Sequence, residues 1–263
     1  VRRDEPIPVQ HGPMVHDCMI TKNYVIVMDL PVTFSMSAVI SGMNFPYRWN
    51  PKHKARIGLL PREGKAEDIV WCEVAPCYIF HPTNAYETED GKVVMDACVY
   101  DFMFAPESTG PDAVAKFETL TIDPATKYTT RRLIDRQPQD FPRFDERLIG
   151  KPYRYAYTTA VSDDGEAGFL TETRIFKHDL ADGTREDHDF GPGRVPGEFV
   201  FVPASETAGE DEGWMIGMVV DTNTETSELV ILDAANFTAP PVATVHIPQR
   251  IPPGFHGNFI PLG

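Results

Sequence analysis

Several signatures that would identify a function at once are missing. The 263-residue chain has no Walker A loop, no HExxH or GxSxG element and no EF-hand loop, which removes the most readable routes to nucleotide, zinc-protease, serine-hydrolase and calcium chemistry. Positive charge is scarce: 24 Lys and Arg stand against 39 Asp and Glu, a formal net charge of −15. That balance repels phosphate backbones, so nucleic acid is not an expected partner. No apolar run reaches the roughly 18 residues of a spanning helix, and the segment 24–32 is broken by Asp29 and Pro31. The four cysteines, Cys18, Cys72, Cys77 and Cys98, are too few for a disulfide framework and have neither zinc-knuckle nor thioredoxin spacing. The expectation for them is the role of small buried apolar side chains, Cys18 and Cys98 lying in strand-like runs. A soluble protein in a reducing, cytoplasmic setting is expected. The start, Val-Arg-Arg-Asp-Glu-Pro, has no initiating Met and no apolar signal core, and it reads as the middle of a longer polypeptide.

What the chain does have is punctuation. Its 24 prolines and 19 glycines separate short, β-branched apolar segments about every ten residues, the rhythm of an all-β fold. Candidate strands are 24–30, 93–100, 199–202, 214–220, 229–232 and 242–247. Asp90-Gly91, Asp164-Gly165 and Asp182-Gly183 are expected hairpin turns, since aspartate followed by glycine tolerates positive φ. No segment keeps a 3.6-residue apolar period for more than two or three turns, so helices are minor. Strands in a meander without βαβ alternation leave a sandwich, a barrel or a propeller, and at about 40 to 45 residues per four-stranded blade the length admits at most about six blades. The acidic stretch 205–212 reads as a solvated loop, and no interdomain linker is marked.

Two local motifs carry little. Gly191-Pro192-Gly193-Arg194-Val195-Pro196-Gly197 is spaced one residue too long for a dinucleotide loop, and its prolines remove amide donors. His16-Asp17 enters a strand, whereas phosphohydrolase dyads of that kind sit on helices. Of eight histidines, His11, His53, His178, His188 and His246 are read as structural, hydrogen-bonded residues. His16, His81 and His256 differ, each standing at the edge of an apolar segment beside a turn. A propeller gathers such positions around its axis, although separations of 65 and 175 residues match no local ligand motif.

Whole segments add more. Met14-Val15-His16-Asp17-Cys18-Met19-Ile20-Thr21-Lys22-Asn23-Tyr24, followed by Asp29-Leu30-Pro31, resembles the second-histidine motif of the carotenoid cleavage oxygenases, the retinal pigment epithelial membrane protein-like and lignostilbene dioxygenase superfamily. Phe80-His81-Pro82-Thr83-Asn84-Ala85-Tyr86-Glu87 resembles the third such motif, and Pro253-Gly254-Phe255-His256-Gly257 the fourth. Asp140-Phe141-Pro142-Arg143 and Gly197-Glu198-Phe199-Val200-Phe201-Val202-Pro203 resemble the two acidic segments that lie between them in the family. The order matches and the resemblance covers essentially the whole chain.

That resemblance implies that residues 1–263 form the C-terminal portion of a single domain, part of a seven-bladed β-propeller with loops forming a cap over an iron site. It implies His16, His81 and His256 as ligands of Fe(2+), with Asp140 and Glu198 accepting hydrogen bonds from the far nitrogens of His81 and His256. The family usually has glutamate where this chain has Asp140. Its first histidine, and the glutamate that supports His16, belong to an upstream segment not present here and needed to complete the site. The implied reaction adds O2 across a conjugated double bond of a carotenoid or apocarotenoid to give two carbonyl products. Phe80, Tyr86 and Phe255 are candidate tunnel residues for the apolar polyene, and peripheral contact with a membrane is compatible with uptake of such a substrate. Cleavage of a stilbene is the alternative within the enzyme class. A non-catalytic propeller serving as a binding platform is the alternative outside it.

Overall fold

The structure, a computed structural model, describes residues 4–105, 113–163, 170–252 and 255–260. The chain divides into two compact units, Val1–Arg136 with Ile149–Pro152, and Gln137–Leu148 with Tyr153–Gly263.

In the first unit the strands are β1 (Met19–Ile20), β2 (Tyr24–Asp29), β3 (Val32–Phe34), β4 (Tyr47–Trp49), β5 (Arg56–Pro61), β6 (Val70–Glu73), β7 (Tyr78–Glu87), β8 (Val93–Tyr100), β9 (Lys116–Asp123) and β10 (Tyr128–Asp135). Eight of them run in the order β1-β2-β5-β6-β10-β9-β8-β7, while β3 and β4 pair separately. The order resolves into two antiparallel meanders, β1-β2-β5-β6 and β7-β8-β9-β10, with one parallel pairing, Tyr128 to Glu73, between β10 and β6. Strand β8 is buried along nearly its whole length, as its Val-Val-Met-Asp-Ala-Cys-Val-Tyr sequence requires of an interior strand. Strand β10, Tyr-Thr-Thr-Arg-Arg-Leu-Ile-Asp, is largely solvated, and charge on such an outer strand discourages pairing with other chains. A short helix, α1 (Met36–Ile40), is N-capped by the Ser35 hydroxyl, which accepts from the Ala38 amide at 3.3 Å.

The second unit holds β11 (Gln139–Arg143), β12 (Tyr155–Ala160), β13 (Arg174–Asp179), β14 (Thr184–Asp189), β15 (Arg194–Pro203), β16 (Gly213–Asp221), β17 (Thr226–Asp233) and β18 (Ala243–Ile247). They form two four-stranded antiparallel meanders in simple chain order, β11 to β14 and β15 to β18. Tyr157, Ile175, Phe190, Phe199, Phe201, Met215, Val230, Leu232 and Phe237 make their common core. Gly217 is required there: a Cβ at that position would stand 2.3 Å from the Phe199 ring. The fold is all-β, and the four-stranded meander is the blade unit of a propeller.

All six expected strands are present, with ends shifted by a few residues. Among the strands unmarked in the sequence were β5, β6, β9 and β10, β12 to β14, and β7 and β11, which contain Pro82 and Pro142. Proline is tolerated because β7, β11 and β15 each open a meander and lie at the end of its strand order, where a missing donor breaks few ladder bonds. Gly91 and Gly183 adopt φ of +81° and +67°, as expected of the Asp-Gly turns, while Asp164-Gly165 lies outside the described residues. One cysteine expectation is corrected. Cys72, Cys77 and Cys98 are buried, but Cys18 is exposed, because β1 begins one residue later and leaves it on the solvated approach. Burial pushes the Cys77 thiol up to about 12, consistent with an inert, reduced side chain.

Candidate metal centre

His16 is carried by the extended segment ahead of β1. Two anchors hold that segment: the Met14 amide donates to the Val32 carbonyl at 2.8 Å, and the Tyr78 hydroxyl donates to the Met14 carbonyl at 3.1 Å. Asp17 does not act as a dyad partner; its carboxylate accepts the Cys18 amide at 2.7 Å.

His81 sits inside β7 at a break in register. Pairing with β8 shifts between Ile79 and Pro82 and again between Pro82 and Asn84. The cause is local: Pro82 has no amide to donate, so the strand bulges and re-aims the side chains beside it. Behind the bulge, buried Asn84 accepts from the Ala85 and Gly150 amides at 2.9 and 3.1 Å and donates to the Lys151 carbonyl at 3.0 Å. Thus the first unit brings His16 and His81 together across 65 positions, their ring centroids 4.9 Å apart and their planes at 90°. Phe80 packs on both, at 5.2 and 5.9 Å, and on Tyr78 and Tyr100 as well. Tyr86 stands further along β7; burial raises its phenol, with Asp96 adding to the shift and Arg132 opposing it.

In the second unit, Asp140 and Glu198 lie on strands that are also bulged. Register in β11 shifts between Asp140 and Arg143, and in β15 between Pro196 and Phe199. Asp140 is almost fully buried and accepts the Phe141 amide at 2.9 Å. Phe141 has φ of +53°, a conformation costly for a bulky residue, and no local sequence signal announces it. Its ring stacks on Phe255 at 6.0 Å and meets His256 edge-on at 5.8 Å. Glu198 is buried; one oxygen accepts the Gly257 amide at 2.8 Å, the other lies 3.4 Å from His256 Nδ1 and 3.8 Å from an Arg143 nitrogen. Arg143 and Phe141 are thus part of this site although sequence reasoning did not assign them; their one signal is membership of the Asp140 motif.

The remaining histidines each have a polar partner. His178 bonds Gln139 at 2.7 Å, His188 donates to the Phe237 carbonyl at 2.8 Å, His246 pairs with Glu228 at 3.0 Å, and His53 meets both Asp29 and His11. The Gly191 to Gly197 segment turns directly into β15, with no helix to follow.

The retinal pigment epithelial membrane protein family model matches residues 1–261. The chain belongs to this family, that of the carotenoid cleavage oxygenases. The chain is 35% identical to a carotenoid cleavage oxygenase of Mycobacterium tuberculosis over 99% of its own length and 60% of that protein's, and 33% identical to carotenoid 9,10(9',10')-cleavage dioxygenase 1 of Arabidopsis thaliana over 97% and 50%. The crystal structure of cobalt-substituted Synechocystis ACO superposes with a TM-score of 0.81 at 30% identity, covering 91% of this chain and 51% of that one. The chain therefore spans about half of the relatives it matches. Family membership explains why five separated motifs occur in one order and why the all-β meanders are propeller blades.

The donor set in the first unit fits a metal of this family. Two imidazoles with ring centroids 4.9 Å apart and planes at 90° suit adjacent positions on one first-row ion, and Nε2 of His81 is shielded from solvent.

Proposed function

We propose that this chain supplies three histidine ligands, His16, His81 and His256, to one Fe(2+) of a dioxygenase that cleaves a conjugated double bond of a carotenoid or apocarotenoid. The reading rests above all on the perpendicular His16 and His81 pair, delivered by two family motifs 65 positions apart. A fourth ligand is expected from outside residues 1–263. Iron, when bound, supplies the chemistry that unites O2 with the double bond.

The chain's own residues have three tasks. Asp140 and Glu198 keep the far nitrogens of His81 and His256 protonated and oriented, so that a lone pair faces the metal. Asp140 stands beside the bulge and left-handed turn at Phe141 in β11. Phe80 and Phe255 wall off water and present apolar surface to a polyene. The second unit also holds a cavity of about 180 Å³ lined in part by Val195, Pro196, Met218, Val220, Glu198 and His256. Exposed Met36, Val39 and Ile40 lie on α1, with exposed Phe34 and Phe45 on either side of it in the chain; exposed apolar side chains of this kind are suited to resting on a lipid surface, from which an apolar substrate would be drawn.

The test is isotopic. The full-length protein, purified without chelator, is expected to hold about one iron per chain and to convert a carotenoid or apocarotenoid to aldehydes or ketones carrying oxygen from 18O2 in both products. Products labelled from water alone would overturn the dioxygenase reading. Turnover of stilbenes but not carotenoids would move the substrate class, and an iron-free, inert protein would favour a binding platform.

A further inference from the structure

The first unit gathers a second set of histidines, neither of them in the family motifs, although Asp29 beside them belongs to one. His11 and His53, 42 positions apart, bring their Nδ1 atoms to 3.0 Å with ring planes crossing at 71°. On its other side, His53 Nε2 lies 2.7 Å from Asp29 Oδ1, and Asp29 Oδ2 accepts from Arg56 Nε at 2.7 Å. The His53 and Asp29 side chains are 3% and 1% exposed. Arg56 is fixed in turn by stacking over Trp71 at 3.9 Å.

This chain of contacts determines tautomers. A buried carboxylate accepts only from a protonated nitrogen, so His53 carries its hydrogen on Nε2 and turns the Nδ1 lone pair towards His11. That lone pair can be met by a proton on His11 Nδ1 or by a cation that both rings share. Two nitrogens near 3 Å apart match neighbouring ligands on an ion with bonds of roughly 2.0 to 2.1 Å. A carboxylate behind a histidine is also the usual support for a metal-bound imidazole. His53 opens on a polar cleft also lined by Gln10, Lys52, Lys54 and Glu73, where water could complete the coordination. The nearest cations are largely engaged, Arg56 with Asp29 and Lys54 with Glu73 at 3.6 Å. The His11 backbone is specialised as well: it and Gly12 take successive φ of +60° and +58°, and for histidine that conformation carries a cost.

We propose that His11 and His53, oriented by Asp29, form a second site for a divalent first-row transition ion such as Zn2+ or Co2+, separate from the iron ligands. With two protein nitrogens the affinity should be modest, in the micromolar range.

The experiment uses the full-length protein with its iron site loaded, titrated with Zn2+ in equilibrium dialysis and with Co2+ by visible absorption. The expected result is one further ion per chain beyond the iron. His11→Ala, at a solvated position, should weaken that ion about tenfold or more while iron content and melting temperature stay at the parental values. His53→Gln should do the same, and its fold is checked by circular dichroism. An unchanged second ion in His11→Ala, or no second ion up to millimolar metal, would overturn the proposal. Because iron content is read separately, failure here is distinguishable from failure of the dioxygenase reading.

Discussion

His81 and His256 are held in opposite ways. His81 is part of a strand: Pro82 bulges the backbone beside it, Asn84 ties that bulge to residues 150 and 151, and Phe80 packs on its ring. His256 lies on coil after the last strand, with its side chain 50% exposed; Glu198 grips both its ring and the next amide, and Phe141 meets the ring edge-on. One proposed ligand is therefore held within a strand, and the other is held on coil with help from an acceptor. The difference predicts where each unit is vulnerable: the first through packing around β7, the second through the charge at Glu198.

The largest effects should come from deleting the proposed ligands themselves. His81→Ala or His256→Ala is expected to cost more than the roughly 100-fold ceiling usual for loss of an outer partner, seen as iron lost on dialysis. Equal iron in either variant and parent would remove that histidine from the set.

Changes to the acceptors should be smaller and should expose the asymmetry. Glu198→Gln is expected to lower iron retention by about 10- to 100-fold, because Glu198 grips both the His256 ring and the next amide. Asp140→Ala should weaken retention less, and Asp140→Glu should preserve or improve it, since His81 is already aimed by its strand. If Asp140→Ala proves as damaging as Glu198→Gln, scaffold does not substitute for an acceptor.

Acid should also separate the two units. In the second unit burial lowers His188 from its ordinary value of 6.5. An unfolded chain then takes up that proton first, so stability present above about pH 6.5 is lost as pH falls below it. Hydrogen bonds from Arg154 to Asp179 and from the Gly191 amide to Asp189 hold those carboxylates low as well, but Glu87, Asp101 and Asp123 of the first unit are also lowered, so carboxylates do not separate the units. Their contribution persists above about pH 4 and declines as pH falls through the folded values. Hydrogen exchange between pH 7 and 5 should therefore rise earlier in β13 to β15 than in β8 and β9. His188→Gln should flatten the early part of that rise, and an unchanged profile would discount His188.

The smallest effect is expected at two matched hairpins. Asp123 and Asp221 each cap a loop by accepting the amides two and three residues on, at 2.9 and 3.3 Å and at 2.8 and 3.3 Å. Each loop closes on a residue with positive φ, Lys127 at 57° and Glu225 at 56°. Lys127→Gly and Glu225→Gly should each be neutral or raise stability by up to about 1 kcal/mol, read from denaturant midpoints. A loss beyond that would mean the long side chains pack in ways the turn does not require.

Much of this protein can be read along the chain. Turn residues, the spacing of β-branched segments and the absence of helical periodicity lead to an all-β meander, because those signals act over a few residues and survive in any context. The five motifs, in order, lead to the family. The proline-bearing strands β7 and β11 escaped notice because proline argues against a strand until its edge position is known. The loop 205–212 looked merely solvated, yet Arg147 donates to the carbonyls of Ser205, Glu206 and Gly209, and Glu210 accepts the amides of Arg154 and Tyr155. Those partners lie more than 50 positions away. The left-handed turn at Phe141, the meeting of His16 with His81 and the pairing of His11 with His53 likewise depend on where distant strands end. Such contacts come from strand register and the bulges that shift it, a property of paired strands rather than of either one alone.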